Sequence, residues 1–390
     1  MPSIRRPLIA AAAAVLLAGA VTACGTSGSD TDAKATEKPS ATAAGKKLPK
    51  LPTSLPKSLN DLKKWEQAYK DGAWKDWDTS SWLRKAQDFV NPVIDGLWSD
   101  DRMKGADQDD KQVPADVPAD QGKTDPAPAP ETAARVAAPY HGSAPAVGKL
   151  FFDSPKGPMV CSATVVDDPA HPGKSNLVWT AGHCVHAGKS GGWYRNIAFV
   201  PDYNDGGESA AALAHVSLDE LAPYGVWWAD WASTSDEWIS SGSEQGGGGS
   251  PYDFAVLHVT PAKSAGGASL QETVGAAMPV WFDAPSATRI GTVGAWGYPA
   301  QAPYDGQRMY SCQGTPGRLS LLASAPTEYR LGCTMTGGAS GGGWFATMPD
   351  GKPGLVSNTS IGPLTATWLA GPRLGADAKK IYDGVSRKFG

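Results

Sequence analysis

Excess charge of either sign is missing from this 390-residue chain: 35 Lys and Arg stand against 39 Asp and Glu, a net charge of −4. A basic face for nucleic acid is therefore not expected. Thiols and imidazoles are scarce, with five Cys and six His. The run His183-Cys184-Val185-His186 offers the start of a zinc site but lacks a convincing fourth ligand, so no metal is expected. The glycine-rich stretch 337–343 has no Lys-Ser/Thr after it, which argues against a phosphate-cradling loop. No internal repeat is present, which sets solenoids aside. The apolar run at residues 8–21 is too short and too rich in Ala for a membrane-spanning helix.

What the chain does have is Gly (46), Pro (32) and Trp (15). From residue 139 onward, short β-prone runs alternate with Gly, Pro, Asn and Asp turns. They fall at 148–152, 161–166, 177–180, 197–200, 254–259 and 291–295. Regular short strands of this kind predict an all-β sandwich or barrel. The tail 376–389 predicts a C-terminal helix, with Ile381 and Val385 on one face. Ahead of this domain, residues 58–99 carry Leu62, Trp65 and Tyr69, then Trp82, Ala86, Phe89 and Val93, both at helical spacing. The reading is a Trp-rich helical hairpin, either a spacer, a surface-binding module whose lysines meet anionic lipid or wall polymer, or a pro-segment. Residues 24–57 and 100–138, rich in Pro and small polar or acidic residues, predict a tether and an unstructured linker. Trp227, Trp228, Trp231 and Trp238 are read as packing residues.

The N-terminus opens with Arg5 and Arg6, continues into the apolar run and ends in Val21-Thr22-Ala23-Cys24-Gly25. That ending resembles a bacterial lipobox. The resemblance implies a signal peptide over residues 1–23 and diacylglyceryl attachment at Cys24, with two acyl chains giving stable anchoring. The other four cysteines suit two disulfides in an oxidising exterior.

Three segments carry chemistry. A serine hydroxyl becomes a useful nucleophile only when a histidine takes its proton, a carboxylate holds that histidine's tautomer, and backbone N–H groups meet the oxyanion. Thr180-Ala181-Gly182-His183-Cys184 supplies a histidine at the end of a strand. Tyr252-Asp253-Phe254-Ala255-Val256-Leu257 places an acid at the head of an apolar run. Gly337-Gly338-Ala339-Ser340-Gly341-Gly342 surrounds a serine with conformationally free residues. In this order the segments resemble the chymotrypsin-like (trypsin-fold) serine peptidases, with a texture similar to the bacterial glutamyl-endopeptidase-like branch.

The resemblance implies two six-stranded antiparallel β-barrels with the active cleft between them, preceded by the small helical region. It implies His183 as base, Asp253 as orienting acid and Ser340 as nucleophile, with Gly338 and Ser340 N–H groups forming the oxyanion hole. It further implies a disulfide Cys161–Cys184 beside the base and a second, Cys312–Cys333. Thr334, Ser360 and Gly362 are implied as substrate-binding residues, Ser360 also bonding the acid; a register with Ser357 there is the alternative. Ala339 replaces the usual Asp, so activation through an ion pair with a new N-terminus is not expected. Thr334 is not Asp and Thr359 is not His, which argues against Arg/Lys and Glu specificity.

The sequence reading is thus an exported, membrane-anchored serine endopeptidase, with the peptidase domain at residues 139–390. It needs no cofactor, acts on protein or peptide substrates and is expected to be a monomer at the outer face of the membrane. The rival readings are a catalytically silent surface lipoprotein of the same fold that binds peptides or a partner, and an adhesive surface protein.

Overall fold

Between Val147 and Pro261, six runs of mostly apolar residues each have both faces buried. They are β5 (Val147–Ser154), β6 (Gly157–Val166), β7 (Leu177–Thr180), β8 (Arg195–Pro201), β9 (Trp227–Thr234) and β10 (Ala255–Pro261). Because alternate side chains of a strand face opposite ways, each run feeds two cores. Leu150, Phe199, Trp227 and Leu257 pack into one apolar cluster, and Phe151, Ala198, Trp228 and Val256 into another. The strands pair antiparallel in the order β8-β5-β6-β7-β10-β9, and β9 returns to β8 through Ala198↔Trp228 and Phe199↔Trp227, closing a six-stranded barrel.

The structure is a computed structural model describing residues 59–77, 85–86, 88–108, 112–114, 122–243, 247–262 and 267–390. The signal peptide, Cys24 and the tether 24–57 lie outside the described residues. The described residues belong to one compact unit.

The N-terminal region departs from a hairpin with a linker behind it. Its first helix exists as expected, α1 (Leu59–Lys70). Of the second, Lys85 is helical, but Asp88–Val90, through which the same spacing runs, is a strand, β1, paired antiparallel with β9. Non-local pairing overrides a local helical spacing here. The region also packs on the first barrel. Trp65, Tyr69, Phe89, Trp98 and Met103 are buried among barrel side chains. The Tyr69 hydroxyl lies 3.0 Å from Asn91 Oδ1, and Asn91 Nδ2 donates to the Ala229 carbonyl at 2.8 Å.

The stretch expected to be an unstructured linker contains a short helix, α2 (Asp100–Lys104), capped by the Ser99 side chain. It also contains β2 (Asp107–Gln108), β3 (Gln112–Val113) and β4 (Ala134–Arg135). Asp125 pairs with the Arg318 guanidinium and backbone N–H, and Val136 N–H donates to the Met309 carbonyl. Pro-rich composition reads as a linker because proline lacks an N–H. Several of the remaining polar groups of this extended strap bond to a neighbouring sheet.

That sheet belongs to the second half. Strands β11 (Val293–Gly297), β12 (Tyr310–Gly314), β13 (Gly317–Leu319), β14 (Glu328–Gly332), β15 (Gly343–Thr347), β16 (Pro353–Asn358), β17 (Gly362–Pro363) and β18 (Trp368–Gly371) follow in order. One sheet runs β16-β15-β11-β12-β4 and another β13-β14-β18, both around a core that includes Val293, Tyr329, Trp344 and Val356. The Cys312–Cys333 disulfide ties the two sheets. The double-barrel architecture holds, with an unbroken ladder round the first barrel and two sheets forming the second. The C-terminal helix, α3 (Ala376–Phe389), packs Ile381, Tyr382 and Val385 against the outer face of the first barrel.

Candidate active site

His183 is delivered by the end of β7. The chain leaves Thr180, passes Ala181 and makes one short turn, Gly182–Cys184. Gly182 is required there, since a Cβ would meet Thr234 Oγ1 at 2.8 Å and the Trp238 ring at 2.9 Å. The Cys161–Cys184 disulfide pins the turn to β6. Cys161, His183 and Cys184 offer donor atoms within 4.8 Å of one another. Both sulfurs are bonded to each other, however, so no thiolate is left for a metal.

Asp253 stands at the head of β10, wholly buried. One carboxylate oxygen accepts the His183 backbone N–H at 2.7 Å, and the other lies 2.8 Å from His183 Nδ1. The Ser360 hydroxyl donates to that second oxygen at 2.5 Å. The Ser357 hydroxyl instead contacts the Asn358 carbonyl, so the register is the one with Ser360 at the acid. A buried carboxylate needs such partners to stay ionised. Asn358 Nδ2 donates to the Asp253 carbonyl at 3.0 Å, and its Oδ1 accepts from Trp179 Nε1 at 3.0 Å. His183 Nε2 is buried and has no hydrogen-bond partner among the described residues.

Ser340 lies in the tight loop between β14 and β15. Gly338 and Gly341 have φ of +89° and +77°. A Cβ on Gly338 would come within 2.6 Å of the Tyr298 carbonyl, and one on Gly341 within 2.1 Å of Thr180 Oγ1. Only glycine meets both demands. Among the described residues, neither the Gly338 nor the Ser340 amide has a backbone acceptor. The loop is fastened from two sides. Gly341 N–H donates to the Thr359 carbonyl at 2.8 Å, and Thr359 N–H to the Gly342 carbonyl at 3.0 Å. On the other side, Ser162 N–H donates to the Ser340 carbonyl at 2.7 Å and Ser162 Oγ to the Gly338 carbonyl at 2.8 Å. Ser162 Oγ in turn accepts Tyr298 N–H at 2.9 Å.

Ala339 is fully buried and packs so close to Gly297 that a Cβ on that glycine would lie 2.9 Å from Ala339 Cα. The groove at Ser340 is walled by Met335, Thr336, Gly337, Ser360, Ile361, Gly362 and Leu369, and none of the described residues lining it is charged. Thr334 is not in that lining. Its hydroxyl accepts from Ala133 N–H at 2.9 Å and bonds the Tyr304 hydroxyl at 2.8 Å. Thr359 is buried, with its hydroxyl 2.9 Å from Trp344 Nε1. Sequence reasoning missed Ser162 and Asn358. Ser162 follows the cysteine of the first disulfide, yet a lone serine in a strand carries no signal of the loop it will brace.

No family model and no curated protein sequence matches the chain. Solved structures do. A thermostable serine protease, AL20, from an extremophilic microorganism is 33% identical with a TM-score of 0.50, over 62% of this chain and 97% of that one. The protease Anisep from Arthrobacter nicotinovorans is 28% identical with a TM-score of 0.49, over 62% of this chain and 96% of that one. A Glu endopeptidase is 17% identical with a TM-score of 0.47, over 66% and 97%.

Proposed function

Since the chain belongs to the trypsin-fold serine protease family, sharing 33% identity over 97% of a solved member, we propose that it is an exported serine endopeptidase, lipid-anchored through Cys24, with Ser340, His183 and Asp253 as its catalytic triad. What carries this reading is the pairing of His183 Nδ1 with Asp253 at 2.8 Å while Nε2 stays free. Asp253 keeps the Nδ1–H tautomer and leaves Nε2 as the proton acceptor.

In the proposed reaction, His183 Nε2 takes the Ser340 hydroxyl proton as Oγ bonds to the substrate carbonyl carbon. The carbonyl oxygen gathers the negative charge and meets the Gly338 and Ser340 N–H groups. Collapse breaks the C–N bond, and His183 gives its proton to the departing amine. Water, deprotonated by His183, then attacks the acyl ester and releases the acid with Ser340 restored. The residue supplying the carbonyl is uncharged in this reading, because the groove lining carries no ion to pair with it. Ser360 and Gly362 line the same groove and hold the extended substrate.

A fluorophosphonate probe tests this on the soluble chain, residues 25–390. Wild type is expected to be labelled, with Ser340→Ala and His183→Ala unlabelled. Asp253→Asn should cut peptide turnover by about 10⁴-fold, because the imidazole then holds the wrong tautomer. Absence of labelling in a folded wild type would replace this reading with that of a silent, peptide-binding member of the family.

A further inference from the structure

The groove at Ser340 continues along Ser360, Ile361, Gly362 and Pro363. The backbone edge there is already taken. β3 pairs with β17 in parallel, Gly362↔Gln112 and Pro363↔Val113. Val113 is 5% exposed and sits in a small apolar cluster with Leu319, Ile361 and Trp368. A Cβ built on Gly247 would lie 3.2 Å from Val113 Cγ1 and 3.6 Å from Ile361 Cδ1. Gly247 precedes Asp253 on the first-barrel side, and Ile361 belongs to the second half, so Val113 lies where the two halves meet. Upstream, β2 is parallel to β6, and downstream Thr124 and Asp125 are bonded to Ser320 and Arg318. Tethering at both ends keeps the strand's effective concentration at the site high. Val113 is not part of the lining around Ser340 itself.

We propose that Gln112–Val113 is a built-in plug of the substrate cleft. An extended polypeptide binds by adding a strand to a free sheet edge, with alternate side chains filling pockets. β3 uses that edge on β17, and Val113 fills the apolar pocket beside it. The plug stops short of Ser340, so a small reagent reaches the serine while a polypeptide is held off until the strand leaves. This rests on the assignment of Ser340 as nucleophile, and a small probe and a long substrate separate the two ideas.

The test compares the soluble chain with Val113→Asp and with Gln112→Gly/Val113→Gly. Fluorophosphonate labelling reports on Ser340, and fluorescein-casein hydrolysis reports on the cleft. Labelling is expected to be the same in all three, with casein hydrolysis faster by about tenfold or more in both variants, the scale of one exposed rather than buried valine. In a Ser340→Ala background, where turnover plays no part, a fluorescent synthetic peptide of residues 109–117 should bind the Val113→Asp protein about tenfold tighter or better than the parent. Folded variants that cleave casein no faster and bind the peptide no tighter overturn the plug, whatever the labelling. Loss of labelling everywhere overturns the catalytic assignment instead, and the peptide-binding arm then decides the plug alone. If Val113→Asp fails to fold, the diglycine variant, which adds no buried charge, carries both measurements.

Discussion

Lys149 sits on β5 with 2% of its surface exposed, its Nζ donating to the Gly306 carbonyl at 2.7 Å and lying 4.5 Å from the centre of the Tyr203 ring. Burial lowers its pKa to about 7, against a weaker upward pull from Asp305. The position matters to the site. Gly306 N–H donates to the Pro299 carbonyl and Ala300 N–H to the Gly337 carbonyl, so Lys149 holds the loop that braces the nucleophile loop. A folded pKa below the unfolded value means that the unfolded chain binds more protons between about pH 7 and 10.5. Stability contributed by this group therefore rises with pH across that window and is absent below it, at up to about 1.4 kcal/mol per pH unit. Urea unfolding at a series of pH values should show this rise in wild type and a flatter profile in Lys149→Met. Parallel profiles for the two proteins would mean that Lys149 keeps its ordinary pKa.

At the scale of elements, α1 and β1 decide whether the N-terminal region is detachable. A spacer or removable pro-segment could be cut away before residue 135 without harm to the barrel. The packing argues otherwise: Tyr69 is fully buried, β1 extends the sheet at β9, and Arg195 donates to the Trp74 and Asp76 carbonyls. Tyr69→Ala should cost about 3–5 kcal/mol, the range for emptying a large aromatic site in a core. Thermal unfolding checks it, and a chain begun at residue 106 should be insoluble or molten. Unchanged stability in both would restore the spacer reading. The difficulty lay in what sequence can carry. The triad segments were legible because strand, turn and functional residue are adjacent, as in Thr180 to Cys184. α1 was legible from the spacing of Trp65 and Tyr69. β1 was not, because three residues make a strand only when another strand offers an edge, and Phe89 fits a helical period equally well. The strap at Thr124 to Val136 was hidden for the same reason. Its prolines speak of a linker, and the barrel edge that binds it lies about two hundred residues away.

For the whole molecule, the question is where a protease of this build does its work. The proposed anchor at Cys24 would hold the chain at the membrane. Substrates would then be polypeptides emerging from, or lying against, the outer face of the membrane. The proposed plug would add a second restraint, since an anchored protease that cut every passing chain would degrade its neighbouring membrane proteins. Replacing Cys24 by Ser would remove the proposed acyl chains and leave the peptidase domain untouched. In a lipoprotein-processing bacterial host, the wild-type chain is expected in the membrane fraction and labelled by radioactive palmitate. The Cys24→Ser chain should be unlabelled and soluble, yet react with fluorophosphonate at the same rate. Membrane association that survives the substitution would move the anchor elsewhere, and the exposed lysines of α1, Lys63, Lys64 and Lys70, would become the first residues to neutralise.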